Sequence, residues 1–396
     1  MNHLVLVLNC GSSSIKFALY DSTAEGVPRQ KIWGGKVNGI TSGKATFDAS
    51  DCARMPLPLS ADKPYNDALE YIHQQVLLKQ GDRRISAVVH RVVHGGSKYF
   101  EPTVLTPEIV ADLHSYIPLA PLHQPFALEA ITALLELYPR MPQVACFDTG
   151  FHHTLPMVEK MLPLNWAAWE RGLCRYGFHG LSYDYMSRAL PERHGDLARK
   201  NVVVAHIGSG ASLCAMQNLQ SVATTLGFSA LDGLMMGSRC GALDPGAVIY
   251  LMEIEKLSLE QVGHMLYHES GLRGISGVSD DTQVLLPLED SNPQVRIALQ
   301  LYVRRMAKEI AAMATAMQGI DMLVFTAGVG ENNAVIRERV CAELGWLGAR
   351  LDADANQQNA AIISAPDSAF TIAIEATNEE WVAAQHAWEL IGLGWR

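Results

Sequence analysis

Along this chain, uninterrupted apolar runs alternate with short turns rich in glycine and serine. Leu4–Leu8 is wholly apolar and predicts a strand buried on both faces. Asn9–Ser14 is a Gly/Ser turn, and Ile15–Tyr20 predicts a second strand. Residues 21–65 carry short apolar stretches among Gly, Pro, Ser and Asp, which suggests further strands and surface loops. Ile85–Val93 is another buried strand. After the Pro-rich stretch 118–125, Ala127, Ile131, Leu134, Leu135 and Tyr138 recur at helical spacing. Val144–Phe147 predicts a short strand that ends at Asp148. Strand, helix and strand in that order imply an α/β layer.

Near the middle the opening pattern returns. Val202–Ala205 predicts a buried strand, His206–Ser212 a Gly/Ser turn and Leu213–Met216 a second strand. Gly208-Ser209 echoes Gly11-Ser12, which suggests two related halves. Further on, Val295, Leu299, Tyr302, Met306, Ile310, Met313 and Met317 step by three or four, predicting a long helix with a methionine-rich stripe. Such a stripe reads first as core; an interface between copies is the other reading. Leu323–Thr326 runs as a strand into a third glycine turn, Ala327–Asn332. Thr377-Asn378-Glu379-Glu380 opens a C-terminal helix with an N-cap and first-turn acids.

Composition narrows the class. Of 396 residues, 48% are hydrophobic and only 18% charged, so the chain can build sizeable cores and has little disordered character. The net charge of −10 argues against nucleic-acid or anionic-membrane partners. Cysteines 10, 52, 146, 174, 214, 240 and 341 form no C-x-x-C pair, and read as reduced thiols of a cytoplasmic protein. The N-terminus has neither the basic nor the long apolar segment of a signal peptide, and no run is long enough to span a membrane.

The candidate chemistry lies in the turns. Glycine lets backbone N–H groups approach phosphate oxygens, and hydroxyls add donors. Each of the three turns reads alone as an ordinary turn; together they point to a nucleotide. No G-x-x-x-x-G-K-[ST] occurs, and Gly208-Ser-Gly210 and Gly328-Val-Gly330 lack the third glycine of a dinucleotide fingerprint. His90 and His94 would suit zinc on a helix, but their β-branched neighbours predict a strand, where the rings stand roughly 13 Å apart. Arg91 between them needs an anionic partner, either a structural carboxylate or a substrate. Arg239 sits in a loop of small residues, His179 is flanked by glycines and aromatics, and Asp148 ends a strand, where open α/β sheets put chemistry.

Taken together these blocks resemble the acetate kinase family. Asn9-Cys-Gly-Ser-Ser-Ser-Ile-Lys16, His90-Arg-Val-Val-His-Gly-Gly96, Pro118-Leu-Ala-Pro-Leu-His123, Phe147-Asp-Thr149, Arg175-Tyr-Gly-Phe-His-Gly180, Met236-Gly-Ser-Arg239, Gly328-Val-Gly-Glu-Asn332 and Thr377-Asn-Glu-Glu380 match in order. The resemblance implies the actin/Hsp70/sugar-kinase fold, with two duplicated domains around a nucleotide cleft. The first is residues 1–150 completed by 380–396. The second, residues 151–379, binds nucleotide and dimerises. The implied activity is reversible phosphoryl transfer from ATP to a short-chain carboxylate, with Mg²⁺ or Mn²⁺ as cofactor, in a homodimer.

By matching position, the resemblance implies that Asn9 and Glu379 hold the metal. Ser12, Ser14 and Lys16 line the phosphate path. Arg91 and Arg239 bind the carboxylate and the transferring group, His179 hydrogen-bonds that group, His123 lies beside it and Asp148 acts next to the metal. His206, Gly208, Ser209, Gly210, Asp281, Gly328, Gly330 and Asn332 meet the nucleotide. Val93, Leu122 and Phe178 wall the acyl group. Four positions depart from the family pattern: Ser209 replaces Asn, Thr282-Gln283 lack an Arg, Ala327 replaces Gly and Ala230 replaces Pro.

Overall fold

The computed structural model describes residues 3–121 and 123–392. The expected acyl contact Leu122 lies outside these residues. The chain divides into two units, residues 1–151 with 378–396, and residues 152–377.

The first unit is built on eight strands: β1 (His3–Cys10), β2 (Ser14–Ser22), β3 (Trp33–Asn38), β4 (Thr46–Ala49), β5 (Cys52–Pro56), β6 (Arg84–Val92), β7 (Thr103–Val104) and β8 (Gln143–Phe147). They lie in the order β5-β4-β3-β2-β1-β6-β8-β7. The strands β1, β6 and β8 run parallel, whereas β3-β2-β1 is an antiparallel meander. Leu4, Leu6, Leu8 and Val88 form one core with Ile72 and Val76 of the helix Pro64–Gln80 and Ala130 of the helix Gln124–Leu137. The C-terminal helix Glu379–Ile391 packs on the same sheet, touching β1, β2, β6 and β8. Helices on both faces explain why β1 reads as an unbroken apolar run rather than an alternating one. Asn378 caps the last helix as expected, accepting from the Trp381 N–H at 3.1 Å. The Trp381 indole donates to Val27 O at 2.7 Å and the Trp388 indole to Thr23 O at 2.8 Å.

The second unit holds β9 (Val202–Ile207), β10 (Ala211–Gln217), β11 (Gln220–Thr224), β12 (Met322–Thr326) and β13 (Thr371–Ile374), in the order β11-β10-β9-β12-β13. An antiparallel meander β11-β10-β9 is followed by parallel β12 and β13. This repeats β3-β2-β1-β6-β8 strand for strand. The short echo between Asn9–Ser14 and His206–Ser212 thus marks equivalent turns of a duplicated topology.

Three sequence expectations are refined. The methionine stripe is core: Val295, Leu299, Tyr302, Met306, Ile310 and Met313 of the helix Pro293–Ala316 are all buried, and the helix packs on β9, β10 and β11. The stripe itself faces the core of its own unit. Ala327–Asn332 is a short helix rather than a turn, because the Glu331 carboxylate accepts from the first-turn N–H of Ala327 at 2.8 Å. His90 lies within β6 and His94 beyond it, each with its own partner: His90 Nε2 meets Gln143 Oε1 at 2.7 Å, and Gly96 N donates to His94 Nδ1 at 2.8 Å. Among the described residues, no cluster of three or more His, Cys, Asp or Glu could hold a metal, and no helix is long and apolar enough to cross a membrane.

Candidate active site

In the first unit, chemistry gathers where the parallel strands end. Arg91 stands next to last in β6, and Asp148 directly follows β8. The Arg91 guanidinium donates to both Asp148 oxygens, from Nε at 2.7 Å and from Nη2 at 2.8 Å. Its Nη1 donates to Glu379 Oε2 at 2.7 Å. The fork matches the carboxylate geometry of a bidentate pair. Burial works to lower the Arg91 pKa, but the charges of Asp148 and Glu379 outweigh it and hold Arg91 firmly cationic. Burial pushes the Asp148 carboxyl up; Arg91 and His123 pull it back, and Glu379 pushes it further. His123 immediately precedes the helix Gln124–Leu137. Two carboxylates thus share one guanidinium, leaving one negative charge over.

Asn9 and Lys16 are cross-strand partners in β1 and β2, so their side chains share a face. The β1–β6 register ends at Leu8 opposite His90, which puts Asn9 beside Arg91 one residue further on. Ser12 lies exposed in the intervening turn and Ser14 opens β2, where Gly11 N donates to Ser14 O at 2.9 Å. Val93, one residue past β6, is half-buried.

In the second unit, two imidazoles stack. The rings of His179 and His206 lie 4.2 Å apart and 21° from parallel. His179 precedes the helix Gly180–His194 in a left-handed conformation, φ 59° and ψ 26°, unusual for a residue with a Cβ. Its Nδ1 meets Ser212 Oγ at 2.8 Å, and His206 Nδ1 meets Ser182 Oγ at 2.8 Å. A Cβ built on Gly210 would stand 3.3 Å from His179 Nε2 and 3.7 Å from Arg239 Nη1. Glycine there keeps the space beside both groups open. A Cβ on Gly208 would meet Ala327 Cβ at 3.6 Å and His206 Nε2 at 3.9 Å, so this glycine turn and the start of the Ala327–Asn332 helix are neighbours.

Among the described residues, Arg239 donates to one carbonyl, Ala230 O at 3.1 Å. Burial lowers its pKa, against a smaller raising by Tyr267. A half-buried guanidinium with donors to spare is prepared for an anion. Phe178 is buried, and its carbonyl accepts from His152 Nε2 at 3.0 Å. Asp281 is exposed and caps a short helix through Gln283 N at 2.8 Å. Asn332 Nδ2 donates to Gly328 O at 3.0 Å, bracing the turn that holds Gly328 and Gly330. Ser209 lies exposed at the tip between β9 and β10.

A family model described as the Acetokinase family matches residues 4–385. The chain belongs to this family. It is 45% identical to an acetate kinase of Rhodopseudomonas palustris, over 98% of this chain and 99% of that one. The crystal structure of an acetate kinase from Porphyromonas gingivalis superposes with a TM-score of 0.87 at 34% identity, covering 98% of this chain and 100% of that one. A propionate kinase structure from Francisella tularensis gives 0.87 at 32% identity, over 97% and 98%. The acetokinase fold is of the actin/Hsp70/sugar-kinase type, in agreement with the duplicated sheets. As an acetokinase the chain is an enzyme, an ATP-dependent kinase of a short-chain carboxylate.

Several residues that shape this acetokinase site escaped the sequence reading. Ser182 and Tyr183 follow His179 by three and four positions, the spacing that places side chains on one helix face, and this was the available signal. Ser212 lay unremarked at the end of a predicted turn. Glu331 also accepts from the Thr377 N–H at 3.2 Å, tying the short helix to the end of the unit, and nothing in its sequence context announces that.

Proposed function

We propose that this chain transfers the γ-phosphoryl group of Mg-ATP to acetate, with propionate as a second acceptor, in a reversible in-line reaction giving acyl phosphate and ADP. The carrying observation is Arg239: a buried-side guanidinium with a single carbonyl partner, next to His179 Nε2 over the side-chain-free Gly210. A carboxylate is already nucleophilic near pH 7, so no general base is required. Phosphoryl transfer needs alignment and positive charge at the equatorial oxygens. In this reading Arg239 and His179 Nε2–H donate to those oxygens. Arg91, oriented by Asp148 and Glu379, offers its remaining N–H groups to the acceptor carboxylate, with the metal offsetting the excess negative charge. Ser12, Ser14 and Lys16 donate to phosphates, and the turns containing Gly208, Gly210, Gly328 and Gly330 carry the nucleotide, with Asp281 and Asn332. Val93 and Phe178 are the described residues assigned to the acyl group.

The first unit fits Mg²⁺. Asp148 and Glu379 supply hard oxygen donors with one negative charge in excess of Arg91, and Asn9 adds an amide oxygen from the neighbouring strand end. Mg²⁺ is commonly bound by one or two carboxylates with water and phosphate completing its shell, so the lack of a larger ligand cluster among the described residues suits it. When bound, the ion neutralises charge developing on the phosphates.

The same reading makes the protein a cytoplasmic homodimer. The helix Pro245–Glu253 buries none of its residues, and Ile249, Tyr250 and Met252, with Ile254 and Leu259 just after it, are exposed. With Glu253 the one charged residue of the helix itself, this surface suits self-association with a second copy. Ile249→Asp is expected to shift the sedimenting species from dimer to monomer; an unchanged dimer places the interface elsewhere.

The deciding experiment for the activity is hydroxamate capture of acyl phosphate, using Mg-ATP with formate, acetate, propionate and butyrate. Acetate is expected to give the highest kcat/KM and propionate the next. Carboxylate-independent ATP hydrolysis, with no acyl hydroxamate, overturns the reading.

A further inference from the structure

The second unit contains three histidines whose Nδ1 faces a serine hydroxyl, and one of them reveals the direction of the hydrogen bonds. His152 Nε2 lies 3.0 Å from Phe178 O, an acceptor only, so Nε2 carries the proton and donates. Burial pushes the His152 pKa down to about 4, so the ring is neutral near pH 7 and Nδ1 is an acceptor. Ser221 Oγ, 2.8 Å from Nδ1, must therefore donate to it. The serine oxygen in turn receives the Cys214 thiol, with Sγ at 3.3 Å. The order is thiol to serine to Nδ1, with the imidazole proton displaced to Nε2.

His179 stands at the end of a chain with the same connectivity. Ser212 Oγ is shared between His179 Nδ1 and the Tyr183 hydroxyl. Tyr183 and Ser212 are fully buried. A serine hydroxyl has one proton, so it donates to one neighbour and accepts from the other. The phenol is the more acidic of the two hydroxyls and the better donor, which places Tyr183 in the position that Cys214 occupies beside His152. His206 has this arrangement too, through Ser182 Oγ and Thr377 Oγ1, which lie 3.0 Å apart.

We propose that Tyr183 and Ser212 are positioning residues that hold the proton of His179 on Nε2. Tyr183 donates to Ser212 Oγ, Ser212 donates to His179 Nδ1, and Nε2–H lies on the side of Gly210, where an added Cβ would stand 3.3 Å from that nitrogen. This rests on the reading that His179 donates to the transferring phosphoryl group. The opposite tautomer would turn a bare lone pair toward a phosphate oxygen and repel it. The relay thus commits Nε2 to donating on a ring stacked 4.2 Å from another. The left-handed backbone at His179 fixes where the ring sits, and the relay fixes which nitrogen bears the proton.

The test begins with the unmodified protein. Side-chain ¹⁵N spectra of histidine-labelled enzyme near pH 7, with the His179 signals assigned by their loss in His179→Gln, report the tautomer directly. A pyrrole-like Nε2 and a pyridine-like Nδ1 are expected. A pyrrole-like Nδ1 overturns the proposal, and needs no variant to do so. Ser212→Ala is expected to mix the tautomers and lower kcat about tenfold with the KM for acetate within twofold, and Ser212→Thr to restore both the tautomer and kcat. Tyr183→Phe should mix the tautomers as well; an unchanged spectrum and kcat in Tyr183→Phe removes the tyrosine from the relay. If the wild-type tautomer is as expected but His179→Gln retains full kcat, the donor role of His179 fails while the relay stands.

Discussion

Arg91 and Arg239 carry the same charge in opposite electrostatic states. Arg91 is charge-paired: two carboxylates accept from three of its nitrogens, and their charge holds it cationic despite burial. Arg239 has one carbonyl, and burial works against its charge unopposed by any carboxylate. The first arginine is part of the framework of its unit. In the proposed reaction, the second keeps donors for an anion that arrives with the substrate. A sequence pattern that pairs two arginines conceals this difference, because it concerns what each one touches.

Alanine at each position should separate the two states. Arg239→Ala is expected to lower kcat by about 10³ or more, on the scale of losing an arginine that neutralises transition-state charge. Its unfolding free energy in urea should stay within about 0.5 kcal/mol of wild type, as for a substitution that breaks no structural pair. Arg91→Ala should lose activity and also about 3–5 kcal/mol of stability, because Asp148 and Glu379 are left without their cation. Equal stability of the two variants would erase the distinction.

His179→Ala sharpens the comparison from the neutral side. A kcat loss of about 10²–10³ is expected, that of one transition-state donor. An effect below threefold would make the stacked pair architectural.

Acid should act on both units, but unequally. Burial pushes His90 and His94 of the first unit and His152 of the second down to about 4. Their folded pKa values lie below the ordinary 6.5, so they contribute stability that is present above about pH 6.5 and lost as pH falls toward 4. Each adds roughly 1.4 kcal/mol per pH unit to the slope in that window. Urea titrations across it should show the loss, and His90→Gln should remove about one proton from the linkage. A slope unchanged by that substitution would show that His90 does not enter it.

The smallest effect concerns Ala327, where the family pattern has glycine. Its φ of 64° is left-handed, a conformation that costs a residue with a Cβ about 1–2 kcal/mol. Glycine relieves that but frees the unfolded chain, at about 0.4–1 kcal/mol. Ala327→Gly should therefore stabilise by up to about 1 kcal/mol, read in the same titration. A destabilised variant would show that the methyl group packs to advantage beside Gly208.

Much of this was legible in order along the chain. The apolar runs found the strands because both faces of each sheet are covered, and the glycine turns found the points where strands end in chemistry. What the order could not show were partnerships across it. Arg91 meets Asp148 57 residues away and Glu379 288 away, and no local pattern links them. The expectation that Glu379 holds a metal likewise carried no hint that it also holds Arg91. The methionine stripe was ambiguous for a physical reason: periodicity reveals an apolar face but not what covers it. The helix Pro245–Glu253 shows the converse, since its apolar residues lie uncovered within its own unit. Ser212 was invisible because a serine at a strand edge has many ordinary uses, and only the positions of His179 and Tyr183 give it one.

The division of the chain also has a consequence in time. Residues 152–377 form a continuous segment, so that unit draws its core from one uninterrupted stretch of chain. The first unit cannot do the same, although most of it is made first. One face of its sheet waits for Trp381, Val382, Ala384 and Ala387, which follow the whole second unit in the chain. Glu379, the second carboxylate on Arg91, arrives with them. The first unit is therefore begun before the second and completed after it, and its charged centre closes only once residues 152–377 have been made.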